Sequence, residues 1–498
     1  MNVNPITRLD YPDLDVIRVE DTYYMVSTTM HFMPGCEILQ SFDLVHWEHA
    51  TYVYETLDHT DAQQLKSGQN IYGQGMWAAS LRYHEGRFYI CFVANDTRKT
   101  YLYTSEKIDG PWKKQLIEGF YHDGSLLFDE DGRNYIVYGN DEIWITELNE
   151  DLTAPKKDGL HRLLVSDHKN PELGYEGSHI QKINGYYYIF LIHSLRDRWM
   201  RTEACFYSDS LEGEFTGGDV LCDDRGYCGQ GVAQGGIVDT PDGKWYAMLF
   251  QDSGAVGRIP ILLPVTWKDH FPVFGQNGHV PEEIEVHSTR PGYIYQPLVG
   301  SDDFCNGLLP RWQFNHDPDP QYYHLDALQG TYTITTREVC TELTQAVNTL
   351  TQRMSYPSCA AEVTVDASAL KEGDVAGLCA LQSCYAAVGI TKHHGKYEVL
   401  MLDKKEDGIL DMTERTVVES HQMDFRLEAD FCNMKDEARC YYRVNKGDWL
   451  PIGTVHKLYF KLDHFTGCRF GLFCYAAEET GGSACFRDFK YYDVDEIS

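Results

Sequence analysis

Three acidic residues, Asp13, Asp123 and Glu176, sit in short segments of similar layout: Tyr11-Pro12-Asp13-Leu14-Asp15, His122-Asp123-Gly124 and Tyr175-Glu176-Gly177-Ser178-His179. Each precedes an apolar run, a turn and an aromatic residue. Counting back twelve residues from Tyr89, Tyr135, Tyr188 and Tyr246 lands on Trp77, Asp123, Glu176 and Gln234, and eleven back from Tyr24 lands on Asp13. If these segments are equivalent elements around one axis, an aromatic ring, three carboxyls and an amide converge there. Carboxyls crowded into a partly desolvated funnel raise one another's pKa, so one of them holds a proton near neutral pH. Glycoside hydrolysis requires such a set: a carboxylic acid to protonate the leaving oxygen, and a carboxylate across the ring to activate water or to attack. Trp77 would give the sugar a stacking wall. Taken singly, each acid reads as a turn residue; the shared register is what distinguishes them.

The elements that would position these residues repeat along the chain. A turn followed by an aromatic strand recurs at Glu20-Asp21-Thr22-Tyr23-Tyr24, Glu85-Gly86-Arg87-Phe88-Tyr89, Asp131-Gly132-Arg133-Asn134-Tyr135, Asn184-Gly185-Tyr186-Tyr187-Tyr188 and Asp242-Gly243-Lys244-Trp245-Tyr246. Gly after an acid or amide is hairpin chemistry, because such pairs tolerate positive φ. The last tyrosines are 65, 46, 53 and 58 residues apart, close to the ~40 to 50 residues of a four-stranded propeller blade. Five copies predict a five-bladed β-propeller over residues 1–300, with helix nearly absent. A fainter echo, Ser41 to Trp47, Ser105 to Trp112 and Ser208 to Phe215, is assigned to outer strands. A β-sandwich with several similar hairpins is the alternative arrangement.

The whole chain of 498 residues accommodates two or three domains. With 75 Asp and Glu against 43 Lys and Arg, the formal charge is -32, which repels phosphate backbones and anionic lipid surfaces. Nucleic acid and membrane are therefore not expected as partners. No apolar run is long enough for a membrane span, and the first residues lack the pattern of a secretory signal. Fifteen scattered cysteines with no C-x-x-C pair suit reduced thiols, and together these features predict a cytoplasmic protein.

Other chemistries find little support. Gly229-Gln230-Gly231-Val232-Ala233-Gln234-Gly235 mimics a nucleotide loop, but no βαβ unit surrounds it. There is no G-x-S-x-G elbow, Walker loop or H-E-x-x-H pattern. His46-Trp47-Glu48-His49 and His393-His394 lack the spacing of a zinc site, so no metal ligands are assigned.

These segments resemble glycoside hydrolase family 43, the five-bladed propellers that include β-xylosidases and α-L-arabinofuranosidases. The resemblance spans essentially the whole chain. It is carried by Asn4-Pro5-Ile6, the Tyr11 to Ile17 stretch, Met30-His31-Phe32-Met33-Pro34-Gly35, Met76-Trp77-Ala78, His122 to Leu126, Tyr175 to His179 and Gly257-Arg258-Ile259-Pro260. It implies an inverting mechanism in which Asp13 is the general base, Glu176 the general acid, and Asp123 the carboxylate that orients the acid and keeps its pKa high. It also implies that Arg258 holds sugar hydroxyls and that Trp77, Met30 and Phe32 wall the deepest subsite, beside Gln234. Where the family has Pro after the base, this chain has Leu14. Several members carry a His, sometimes contacting a channel calcium ion, where this chain has Ala233; a structural calcium thus lacks that contact, and no organic cofactor is implied.

From Ser301 the turn repeat stops, after a segment carrying Pro281, Pro291 and Pro297. Residues 301–498 alternate in short strands and predict a β-sandwich. Trp312 to His316, Asn348 to Arg353 and Gly373 to Leu378 resemble the concanavalin-like domain of many family-43 xylosidases, which packs on the propeller. The expectation is an all-β, exo-acting, inverting glycosidase that releases terminal xylose or arabinofuranose from small oligosaccharides, and a homo-oligomer is compatible with it. The rivals are a noncatalytic sugar-binding propeller and a retaining fructosidase-type enzyme.

Overall fold

The computed structural model describes residues 2–493. Five four-stranded antiparallel sheets follow one another from Asp15 to Phe274, so the chain is a five-bladed β-propeller. The innermost strands are Asp15–Val19, Met76–His84, Ser125–Phe128, Glu176–Ile183 and Val232–Asp239, and they belong to blades I to V in that order. Each pairs with the aromatic strand that follows its turn, for example Tyr186–Ser194 in blade IV. That strand, Tyr-Tyr-Tyr-Ile-Phe-Leu-Ile-His-Ser, is apolar without alternation because it is buried on both faces between neighbouring strands and blades. At Glu85-Gly86 and Asn184-Gly185 both residues have positive φ, the geometry of the tightest hairpin turns. The Ser-to-aromatic echo lies elsewhere than expected. It closes the third strand and turns toward the fourth, as at Gly35–Ser41 before Glu48–Tyr54, with Trp47 donating its indole N–H to Leu44 O at 3.0 Å.

No α-helix occurs among the described residues, only four 3-10 turns, and no helix is long and apolar enough to cross a membrane. The ring is closed without a shared strand. Asn2–Val3 pairs with Glu283–Ile284, and the Asn4 amide donates to Leu262 O and Pro281 O while its Oδ1 accepts from Leu262 N.

The second unit is a β-sandwich of an eight-stranded and a seven-stranded sheet. Its strand Gln422–Asp430 alternates buried and half-buried positions, as expected of a sheet with one face on a core. The two units interleave. Phe32–Met33, from a loop of blade I, is the edge strand of the eight-stranded sheet and pairs with Gln313–Asn315. Ala255, Val256 and Ile259 of blade V belong to the sandwich core. Between the units lie three buried histidines, His31, His316 and His464, with ring centroids 4.8 and 5.3 Å from His31 to the other two. Burial pushes all three imidazoles well down, His316 to about 3 and His464 to about 4.

Candidate active site

The starts of the inner strands meet at one end of the channel, around a cavity of about 210 Å³ lined by Asp13, Trp77, Asp123, Glu176, Gln234 and Arg258. Asp13, Asp123 and Gln234 have φ of 51, 48 and 66°. Asp and Asn-like side chains tolerate this left-handed region better than most, and the kink turns each side chain off its blade toward the axis. Gly177, at φ 66°, has no alternative: a Cβ there would stand 2.5 Å from the Gln234 amide carbon.

Asp13 is fixed from two sides. Arg258 Nη1 donates to Asp13 Oδ1 at 2.5 Å, and Thr28 Oγ1 donates to Oδ2 at 2.7 Å. Arg258 is itself held by Asp252 Oδ1 at 3.2 Å and lies over the Phe465 ring at 3.8 Å. Leu14, in place of the family's Pro, is fully buried in the core behind the carboxylate. Asp123 Oδ2 accepts from the Gly177 N–H at 3.0 Å, which ties blade III to blade IV at the mouth. Glu176 Oε2 accepts from Asn140 Nδ2 at 2.7 Å. His122 Nε2 is buried without a hydrogen-bond partner, 3.5 Å from Asp123 Oδ2 and 3.6 Å from Glu176 Oε2.

The protons are distributed differently from the expectation. The Asp123 charge, aided by Glu176 and Asp13 and opposed by burial, raises the His122 imidazole to about 9. Burial, together with the Glu176 and Asp13 charges, raises Asp123 to about 6. Burial also raises Glu176, but the charge of the nearby His122 imidazole, with those of Arg201 and Arg258, outweighs it and holds this carboxyl below its usual range. The sequence placed the elevated pKa on Glu176. Here His122 acts on both carboxyls, while Arg201 and Arg258 act on Glu176.

Met30 and Phe32 correct a second expectation. Neither lines the cavity. Met30 is buried and bridges to Met76, and Phe32 is an edge residue of the sandwich sheet with the Arg469 guanidinium over its ring at 3.5 Å. The loop that carries them was committed to joining the two units. Their places on the wall are taken by residues from outside the repeat register: Leu173, Trp199 and Arg201 of blade IV, and Leu462 and Phe465 of the sandwich. Phe465 meets Trp77 edge-on at 5.1 Å. Arg201 is 1% exposed; its Nε is 2.8 Å from Asp252 Oδ2, and its Nη1 has no hydrogen-bond partner. Arg201 opens a third strand, where a search limited to inner strands does not look. Asn140 ends a second strand. Phe465 belongs to the other unit and carries no signal in the sequence.

In the channel below this cavity Ala233 brings no side-chain ligand for a calcium ion, and Asp15 is paired with Arg82 at 2.7 Å and approached by His179 at 3.2 Å. His46 and His49 bond to Asp43 and Glu37 respectively.

Comparison with known proteins follows the division between the two units. The model for glycosyl hydrolases family 43 matches residues 3–272, and the beta xylosidase C-terminal concanavalin A-like domain matches residues 301–492. The chain is 27% identical to a beta-xylosidase of Formosa agariphila, over 99% of this chain and 89% of that protein. It is 24% identical to a non-reducing end alpha-L-arabinofuranosidase of Bacteroides ovatus, over 82% and 79%. Its fold superposes on a bifunctional GH43-CE protein of Bacteroides eggerthii with a TM-score of 0.91 at 42% identity, covering 100% of this chain but 64% of that longer one. A GH43 glycoside hydrolase engineered to display both endo-xylanase and exo-arabinofuranosidase activity superposes with a TM-score of 0.88 at 27% identity, over 99% of both chains.

Proposed function

Because the chain belongs to glycosyl hydrolases family 43 and is a glycoside hydrolase, we propose that it removes terminal pentoses from xylo- or arabinoxylo-oligosaccharides with inversion at the anomeric carbon. The sugar released is β-D-xylose, α-L-arabinofuranose or both. Relatives carrying each activity support this breadth. The observation that carries the reading is the single small cavity onto which Asp13 of blade I and Glu176 of blade IV both open. At about 210 Å³ it lies below the ~300 to 1,000 Å³ of sites for larger ligands, so it suits one ring rather than a run of them. Leu462 and Phe465 wall one side, which favours a chain end over an internal residue.

In this mechanism Asp13 takes a proton from water as the water oxygen bonds to the anomeric carbon. Glu176 gives a proton to the departing glycosidic oxygen as the old bond breaks. Arg258 aligns the Asp13 carboxylate, and the unpartnered Nη1 of Arg201 is a donor for a sugar hydroxyl. Every step uses side chains of this chain, and none calls on a cofactor. A cytoplasmic location, expected from reduced cysteines, belongs to the same proposal.

Hydrolysis of 4-nitrophenyl β-D-xyloside and 4-nitrophenyl α-L-arabinofuranoside tests it. Removing a general acid or base costs about 10²- to 10⁴-fold, so Asp13→Asn should lose about that much on both substrates and Glu176→Gln should lose it on substrates with poor leaving groups such as xylobiose. Undiminished rates in both variants would remove the mechanism. Proton NMR of the first sugar formed should show the inverted anomer; the retained anomer would point to a covalent intermediate instead.

A further inference from the structure

The two oxygens of the Glu176 carboxyl have different surroundings. Oε2 accepts from Asn140 Nδ2 at 2.7 Å, and His122 Nε2 stands 3.6 Å from the same oxygen. No residue among those described donates a hydrogen bond to Oε1. Asn140 is the last residue of the second strand of blade III and is exposed, so core packing does not call for an amide there. Among the described residues, the one hydrogen bond of its side chain goes to Glu176. Its backbone is held on both sides. Gly139 N donates to His122 O at 3.0 Å and Asp141 N donates to Tyr175 O at 2.8 Å, which ties Asn140 to the residues just before Asp123 and Glu176. An exposed side chain thus leaves a fixed backbone to reach one particular oxygen of the candidate acid.

We propose that Asn140 is a positioning residue that fixes the Glu176 carboxyl so that Oε1 carries and delivers the proton. The inference rests on the reading of Glu176 as the acid. An amide nitrogen donates and does not accept, so the oxygen it holds keeps its lone pair and stays unprotonated in the acid form. The proton then belongs to Oε1. In the reaction Oε1–H gives its proton to the glycosidic oxygen as the bond to the anomeric carbon breaks. The water that bonds to that carbon gives a proton to Asp13, and Oε2 keeps its hydrogen bond from Asn140 throughout. Solvent then reprotonates Oε1 and takes the proton from Asp13. Without the amide, the terminal carboxyl torsion is broad and roughly two-fold, and the proton rests on either oxygen. Part of the acid population then points its proton away from the leaving oxygen.

A positioned acid matters in proportion to the protonation that the leaving group needs. Across aryl β-D-xylosides or α-L-arabinofuranosides, whichever the wild type hydrolyses, Asn140→Leu should lower kcat/KM about 10- to 100-fold for the most basic leaving groups and little for 4-nitrophenyl. The dependence on leaving-group basicity therefore steepens. Aryl substrates have no departing sugar, so contacts to one cannot produce this result. Asn140→Asp, which presents only acceptors to Glu176, should lose at least as much. An equal fall for every leaving group, no fall, or full activity in Asn140→Asp overturns the proposal. The double variant Glu176→Gln with Asn140→Leu gives a second measurement. On basic leaving groups it should be no slower than Glu176→Gln alone, because residues that act as a unit are not additive; a further fall as large as that of Asn140→Leu by itself also overturns the proposal. If Glu176→Gln keeps full activity on basic leaving groups, the reading of Glu176 as the acid is wrong. If it is inactive while Asn140→Leu matches the wild type, only the role of Asn140 is wrong.

Discussion

The propeller channel has a cavity at each end, and the two differ in how their charges are matched. The end opposite the candidate site is the larger, about 470 Å³ against about 210 Å³, and it too is lined by charged groups, among them Arg18, Arg82 and Lys182. There the cations are paired. Arg18 meets Asp239 at 2.5 Å, Arg82 meets Asp15 at 2.7 Å, and Lys182 meets Asp129 at 2.7 Å. Arg82 also donates to Leu126 O, Ser125 Oγ and Ile180 O, so one guanidinium ties blades II, III and IV. At the site end, Arg201 Nη1, His122 Nε2 and Trp77 Nε1 are buried without hydrogen-bond partners. A buried donor left unpaired is costly, and a hydroxyl-rich ligand is what would relieve it. Size alone would have selected the wrong end.

Substitutions at the two ends should therefore fail in different ways. The largest stability effect is expected at the paired end. Arg82→Met leaves Asp15, a fully buried carboxylate, with only His179 and the Leu81 N–H as partners, and breaking such a pair costs about 3 to 5 kcal/mol. Urea unfolding should show that loss, while turnover per folded molecule changes little; lost turnover with unchanged stability would break the comparison. At the site end, Arg201→Lys keeps a charge but loses the planar donor set. Hydrogen bonds to charged groups contribute about 1.5 to 3 kcal/mol, so kcat/KM on xylobiose should fall about 10- to 100-fold. An unchanged value would mean that the free Nη1 does not meet the sugar.

A third measurement concerns the seam between the units. His31, His316 and His464 are neutral when folded, but in the unfolded chain they bind protons once the pH falls below ~6.5. Their contribution is thus complete above that pH and declines as the pH falls toward about 4 for His464 and about 3 for His316. Melting temperatures at pH 7 and pH 5 should differ less in His464→Gln than in the wild type. The smallest effect is expected at Phe465→Ala. It removes a ring under the Arg258 guanidinium, a contact of about 0.5 to 2 kcal/mol, and should raise KM for xylobiose several-fold with little change in kcat. An equal fall in kcat would instead mean that the ring holds Arg258 against Asp13.

The five turns with their aromatic strands were readable because hairpin chemistry and apolar runs are local, and the common register of Asp13, Trp77, Asp123, Glu176 and Gln234 followed from counting along those repeats. That reasoning reached only side chains at equivalent places on inner strands. Met30 and Phe32 were misplaced because nothing local reveals that their loop serves as an edge strand for another unit. Arg201 opens a third strand with no repeat to mark it, and Asn140 lies at the far end of a second strand, beyond the residues that the repeat aligns.

The sequence by itself determined the blades, the sandwich and the three acids, since backbone preference and strand periodicity are set by neighbours a few residues away. Only the tertiary structure decided which acid is elevated, which donors are unpaired and which ring closes the cavity. Those depend on desolvation and charge acting across space between Glu176 of one blade, His122 of the next and Phe465 of the sandwich, groups whose separation along the chain carries no information about their distance.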